Sequence, residues 1–408
     1  MSTASSENQK EKKIQFSIPL ILIKSKRGLS LLDRLAKLKA TKPAGWAFLY
    51  FLPLAAAGGL FLIISAVSIL ATNSAARSIA SEAGPLANIL LPGINPFVPV
   101  FYGIIAIVIG LVVHEGAHGI LARSLGFPVK ATGLMLFLGI PIGAFVEIDD
   151  NELKKARARD SGRVLAAGPG GNIIAGVISL AFLIAIIGSM SPVADGFGVV
   201  GLVEGYPAQK VGLRQGDIIL EVNGAPISTR ASLLEEVGSL KPGSEVSVKI
   251  WRSGHVLDYS IMAVASPDGS GRSILGVSGV GTTESLENYK QITTSSPTGF
   301  LAFLVPPTFS GAIVPYSDSM QVFFTSSLGE AFFPLANFFF WIWFVNINLA
   351  IFNALPIYPL DGGHALSAAL RGLGKGKWRE HRITVATRGV TLSMVLLIAS
   401  LLLLPYVG

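Results

Sequence analysis

Apolar residues in this chain fall into long unbroken runs, not the interrupted stripes of water-soluble helices. Runs from about Trp46 to Ala71, Phe97 to Ala122, Val164 to Ile187 and Ile383 to Leu404 each reach the roughly 20 residues a helix needs to cross a ~30 Å hydrocarbon core. A fifth run, about Ala331 to Leu355, is aromatic-rich and is broken at its end by Asn353 and Pro356. Residues 298–316 are also apolar but hold Pro306, Pro307 and Pro315, so an interfacial or re-entrant segment is expected there, not a full span. The apolar stretch 131–148 is too short to span, has Gly139 and Pro141 mid-way and is rich in strand formers. It predicts a hairpin at membrane depth, which is tolerated only where protein buries it or a cavity adjoins it.

Between about 195 and 285 the pattern changes to short alternating strands and turns. Val246-Ser-Val-Lys-Ile-Trp251 and Leu257-Asp-Tyr-Ser-Ile261 alternate as strands, Ser232–Leu240 reads as a helix, and Lys241-Pro-Gly243 as a turn. Small β-rich domains have this grammar. The run Pro207-Ala208, Gly212-Leu213, Gly216-Asp217-Ile218-Ile219 and Val222-Asn223-Gly224 resembles a PDZ domain of the kind attached to microbial proteases. That resemblance implies a groove taking an extended peptide, or a substrate's ectodomain, by strand addition, with Gly198–Val203 expected near it.

Composition supports a membrane protein. Only 14% of residues are charged against 51% hydrophobic, and mean hydropathy is +0.60, whereas soluble domains carry roughly 25% charged residues. The net charge of +7 does not point to nucleic acid, because the basic residues cluster beside apolar runs. Basic residues fill the first 43 positions, the loop 123–163 and the segment 371–382, whereas the loop 72–95 carries Arg77 alone. The positive-inside rule then predicts a multi-pass protein of the cell membrane with a cytosolic N-terminus and an extracytoplasmic island at 190–330. The chain has no cysteine, which excludes disulfides, thiol nucleophiles and Cys-ligated metals.

The expected organisation is therefore a polytopic α-helical membrane protein of about five to six membrane segments with an inserted small α+β domain. Residues 1–43 form a basic tail, flexible or lying as an amphipathic helix on the bilayer. Residues 44–190 hold three spans and the hairpin, 195–285 the PDZ-like domain, and 286–408 the interfacial segment and the last two spans.

The second run ends Val113-His114-Glu115-Gly116-Ala117-His118. On a helix, residues four apart share a face, so the imidazoles of His114 and His118 can grip one Zn²⁺ while Glu115 serves as general base to a water. Three ionisable residues in an otherwise uncharged span are costly unless they serve a site; polar glue between helices is the structural alternative. Catalytic zinc commonly takes three protein ligands. Asp361, in Asn353-Ala-Leu-Pro356-Ile-Tyr-Pro359-Leu360-Asp361-Gly362-Gly363, is the acidic candidate for the third, because the prolines and glycines there free the backbone from regular helix. By the charge-derived topology, the second and fifth runs end on the same side.

The pair HExxH in one span and Asn-x-x-Pro-x-x-x-Leu-Asp-Gly in a later one resembles the site-2 protease family of intramembrane zinc metalloproteases. The resemblance implies hydrolysis of transmembrane segments of other membrane proteins, with His114, His118 and Asp361 as zinc ligands, Glu115 as base, and Asn353 holding substrate or oxyanion. The alternative reading of Asn353 is a helix-breaking polar residue satisfied by backbone. Asn172, in Gly168-Pro-Gly-Gly-Asn172, is a possible supporting residue, with helix packing the alternative reading. His364 is a possible partner of the site or a surface residue. The hairpin would offer a strand edge to an unwound substrate, and the PDZ-like domain would screen substrates. Competing readings are a membrane-anchored PDZ scaffold without catalysis, a zincin with a Glu ligand, and a metal transporter; the last would need polar residues along a whole path.

Overall fold

The computed structural model describes residues 14–17, 20–25, 27–137, 140–295, 299–304, 306–308, 314–374 and 377–407. Gly139, the first basic residues of the tail and parts of the 298–316 window lie outside these. The chain divides into two compact units, one made of the residues up to Ser179 and from Trp341 onward, the other of Leu180–Phe340.

The first unit opens with strands β1 (Ile14–Ser17) and β2 (Leu20–Ser25), then helix α1 (Arg27–Ala36) and the long apolar helix α2 (Thr41–Thr72). Helix α3 (Val100–Ser124) follows, then strands β3 (Val129–Phe137) and β4 (Ile140–Ile148) and helix α4 (Ala158–Gly188). At 1.5 Å per residue, the 32, 25 and 31 residues of α2, α3 and α4 exceed the ~30 Å hydrocarbon core. Among the described residues five helices are long and apolar enough to cross a membrane. Large apolar side chains such as Phe61 and Phe101 stand 68% and 69% exposed, as a lipid-facing surface requires.

The hairpin forms as expected, with Val146 opposite Thr132 and Ala144 opposite Leu134. The basic tail does not stay free. From residue 14 on it supplies two strands to the hairpin, giving sheet order β1-β2-β3-β4 with Leu22 opposite Met135. A hairpin in apolar surroundings has an open edge whose unpaired N–H and C=O groups are costly. Pairing β2 with β3 removes that cost on one side and leaves β4 as the open edge. Helix α1 is amphipathic, but its apolar face is not spent on lipid: Leu32 is buried with Ala122, Val129 and Val164. The start of α4 is held to α2 by Arg163, which is 5% exposed, donates to Lys42 O at 2.8 Å and lies 4.8 Å over the Trp46 ring.

The second unit contains the β-rich island: β5 (Phe197–Leu202), β6 (Ile218–Val222), α5 (Arg230–Gly238), β7 (Glu245–Arg252), β8 (His255–Met262) and β9 (Val277–Gly281). The strands form a sheet ordered β8-β7-β6-β5-β9. Val246, Val248 and Ile250 are fully buried, whereas Glu245 and Ser247 face out, the period of two that the sequence shows. Phe197, Val199, Ile219, Val222, Ile227 and Ile261 complete the core. Gly198–Val203, expected near a peptide groove, lie largely in β5, an interior strand. The last strand, β9, adds outside it, with Val277 opposite Leu202, so β9 forms one edge of the sheet and β8 the other. The motif glycines Gly212 and Gly216 have φ of +90° and +94°, conformations that favour glycine. They lead into Asp217, which is 1% exposed, accepts from Arg214 N at 2.7 Å and receives Arg252 Nε at 2.6 Å and an Arg252 terminal nitrogen at 2.7 Å.

After helix α6 (Thr282–Ser295), residues Gly299–Leu304 form a 3-10 turn; no spanning helix occurs among the described residues of the 298–316 window. Helices α7 (Phe332–Ala354), α8 (Asp361–Leu373) and α9 (Glu380–Leu403) complete the chain. The asparagines of α7 are reconciled with its apolar surroundings locally. Asn346, Asn348 and Asn353 each donate Nδ2 to the carbonyl four residues earlier, at 2.8, 2.7 and 3.0 Å.

Breaking this pair takes the carboxylate from a partly exposed guanidinium that keeps Gly212 O and the Tyr259 hydroxyl as acceptors. Asp217→Asn is expected to destabilise the island by about 1–3 kcal/mol, read as lost hydrogen-exchange protection at Val246–Ile250.

Candidate functional site

Helix α3 carries His114 and His118 on one face, and both rings are buried, at 7% and 8% exposure. Their Nε2 atoms lie 3.2 Å apart. The third group comes from beyond the end of α7. Residues 355–360 leave the helix, Leu360 is extended (φ −67°, ψ 164°), and Asp361 opens α8. Asp361 Oδ2 stands 3.0 Å from His114 Nε2 and 3.2 Å from His118 Nε2.

The glycines around this turn are required by close approach. A Cβ on Gly362 would collide with the carbonyl oxygens of Ala354 and Leu355, and one on Gly363 would lie 2.6 Å from the Ile357 carbonyl. The chain thus folds back on the end of α7, which aims Asp361 at the histidines. Helix α4 closes the other side. A Cβ on Gly168 would fall on His118 Nε2 and 2.6 Å from His114 Nε2, and one on Gly171 would lie 2.7 Å from Ala117 Cβ.

The three groups fit a divalent cation. Zn–N and Zn–O bonds near 2.0–2.1 Å place the donors of a tetrahedral ion about 3.3 Å apart, close to the 3.0–3.2 Å separations here. His118 Nδ1 lies 2.7 Å from Val164 O. That carbonyl accepts only from Nδ1–H, which fixes the tautomer and turns the Nε2 lone pair toward the other two groups. Among the described residues these are the His and acidic groups that gather with metal-binding spacing.

Glu115 projects beside them into a cavity of about 410 Å³, lined also by Asn353, His364 and the end of β4. Its Oε2 accepts from Val146 N at 3.0 Å. Alternate residues of an edge strand turn their N–H outward, so the open side of β4 faces the carboxylate. Asn353 reaches the same cavity with one amide hydrogen used on Leu349 O, leaving the other for a ligand. Asn172 is fully buried on α4 and does not line the cavity. His364 lines it, its ring 4.9 Å from that of Tyr358. His381 is exposed on α9 and His255 on β8.

The sequence reading missed the Val164 carbonyl and the Val146 amide, because backbone groups carry no residue signature. It gave helix packing as the alternative reading of Asn172 and did not assign Gly168 to the two imidazoles. The tight motif Gly-Pro-Gly-Gly-Asn was the available signal.

The model of peptidase family M50 matches residues 102–398. This chain belongs to that family. With that membership stands the expectation of a membrane-embedded zinc metalloprotease of the site-2 type. Relatives include an uncharacterized protein of Methanocaldococcus jannaschii, 29% identical over 348 residues, covering 85% of this chain and 76% of that one. The regulator of sigma-W protease RasP of Bacillus subtilis is 28% identical over 256 residues, covering 58% and 56%. The zinc metalloprotease RasP of Shouchella clausii is 29% identical over 209 residues, covering 48% of each chain. The matched region thus spans about half the length of the two RasP proteins.

Gly168→Ala places a methyl group on the imidazole nitrogens. Zinc affinity of the purified protein should fall at least tenfold by chelator competition; unchanged affinity would show that α4 yields easily.

Proposed function

We propose that this protein cleaves peptide bonds in membrane-spanning segments of other proteins, with His114, His118 and Asp361 holding zinc and Glu115 acting as general base. The observation that carries this reading is the convergence of these four side chains on one cavity, three of them from a helix of spanning length and Asp361 from the turn that follows another. Zinc bound there would polarise the scissile carbonyl and lower the pKa of an attacking water toward ~7. Glu115 takes the proton of that water and returns it to the leaving amine. The free amide hydrogen of Asn353 is available to the developing oxyanion.

A helical substrate has its carbonyls hydrogen-bonded internally and must be extended before cleavage. Strand β4 offers the means. Its open edge runs along the cavity at Val146 and Ile148, so an unwound substrate can pair with it and lie across Glu115. The proposed orientation puts the N-terminus in the cytosol and the island outside. There the PDZ-like domain would take a peptide or substrate ectodomain along its edge strand β9 and screen substrates before their spanning segments reach the cavity. The B. subtilis relative is named for its action on a sigma-factor pathway, in keeping with a membrane-protein substrate of regulatory kind.

The test is cleavage of a tagged single-span reporter by the purified protein, wild type beside Glu115→Gln. The substitution keeps shape and hydrogen bonding to Val146 N but removes the base, so activity should drop by about 10²–10⁴-fold with zinc content unchanged. Equal cleavage by the variant would refute the mechanism. Deleting residues 198–264 should alter which substrates are cut; a folded deletion inert on every substrate would contradict the screening role.

A further inference from the structure

Four buried polar atoms have no hydrogen-bond partner among the described residues on three side chains beside the proposed metal ligands: His114 Nδ1, both Asn172 amide atoms and Asn346 Oδ1. Asn172 and Asn346 are both 0% exposed. An amide left unsatisfied in apolar surroundings costs several kcal/mol, and natural structures satisfy nearly all such groups, often with water.

The helix contacts bring these atoms to one level. Helix α4 runs opposite to α3, with Val164 O at His118, Gly168 at His114 and His118, and Gly171 at Val113 and Ala117. Asn172, next to Gly171 and one turn beyond Gly168, therefore sits at the level of residues 110–114. From α7, the Asn346 amide atoms lie 3.6 and 3.7 Å from where Gly110 would carry a Cβ, one turn before His114. A further turn along α4, Gly176 abuts Ile347 and Trp343 of α7. The stripe Gly168–Asn172–Gly176 thus follows the seam of α3 and α7, with Asn172 between its two contacts.

We infer that Asn172 and Asn346 hold buried water against His114 Nδ1 and act as positioning residues for that ligand. The inference rests on the metalloprotease reading above. When Nε2 of a histidine is given to a metal, Nδ1 carries the proton and requires an acceptor. His118 has the Val164 carbonyl; His114 has no direct acceptor. Asn346 Nδ2 is already donated to Ile342 O at 2.8 Å, so its oxygen is the part left over. Water that accepts from His114 Nδ1–H and Asn172 Nδ2–H, and donates to the amide oxygens of Asn172 and Asn346, satisfies all four atoms. The two histidines would then be oriented by different means, one by backbone and one by a hydrated amide pair.

The experiment measures zinc affinity of the purified full chain in detergent by chelator competition, with helicity and thermal melting recorded alongside. Asn172→Leu and Asn346→Leu fill the space and exclude water, and each should weaken zinc binding about 10- to 100-fold at unchanged helicity. Asn172→Ala and Asn346→Ala leave room for extra water and should lose less; they also serve if a leucine variant does not fold. Asn348→Leu, whose amide is bonded to Phe344 O, should bind as wild type does. Leucine and alanine variants that all hold zinc as tightly as wild type overturn the inference, and alanine variants as weak as leucine overturn the part played by water. A wild type that takes up no zinc overturns the metalloprotease reading itself.

Discussion

Two imidazoles and a carboxylate within 3.2 Å of one another, drawn from segments far apart in sequence, are the constraint on which the rest of this membrane unit depends. Each group is expensive in an apolar interior, and each is admitted only because backbone comes unusually near. Gly168 and Gly171 let α4 lie against α3, and Gly362 and Gly363 let the turn after α7 fold back on its own helix end. The glycines are therefore as much a part of the proposed centre as the donors. They set distances that no rearrangement of side chains could recover.

The same economy of backbone governs the open strand. In an aqueous enzyme an unpaired edge is satisfied by solvent. Here β4 lies beside the cavity, and its Val146 amide is satisfied by the carboxylate assigned as base. Substrate recognition and proton transfer are thereby placed on neighbouring atoms. A strand laid along β4 meets Glu115 directly, which ties extension of the substrate to the chemistry that follows.

Much of this was legible in the sequence. The apolar runs gave the spanning helices, because length against bilayer thickness is a strong signal. HExxH gave its own geometry through the helical period, and the Asp361 segment announced a break by its prolines and glycines. The alternation Val246, Val248, Ile250 gave the island's sheet. What escaped was pairing at long range. Nothing in Leu20–Ser25 says that it joins residues 132–137, since a short apolar segment fits many partners, and its basic neighbours read as a tail. The edge strand of the island was not legible for a related reason: β9 follows β5 by some 75 residues, and strand order is set by topology, which local pattern does not encode. The backbone contacts to His118 and Glu115 were beyond reach, because every residue type has a carbonyl and an amide.

The four-stranded sheet joins β2 to β3 across more than a hundred residues, with two spanning helices between them. During synthesis the first strands emerge well before their partner exists. Their partner exists only once α2, α3 and residues 132–137 have been made. The sheet can thus close only after the helix bearing His114 and His118 has been synthesised, so its pairing spans the whole of that helix in the order of synthesis.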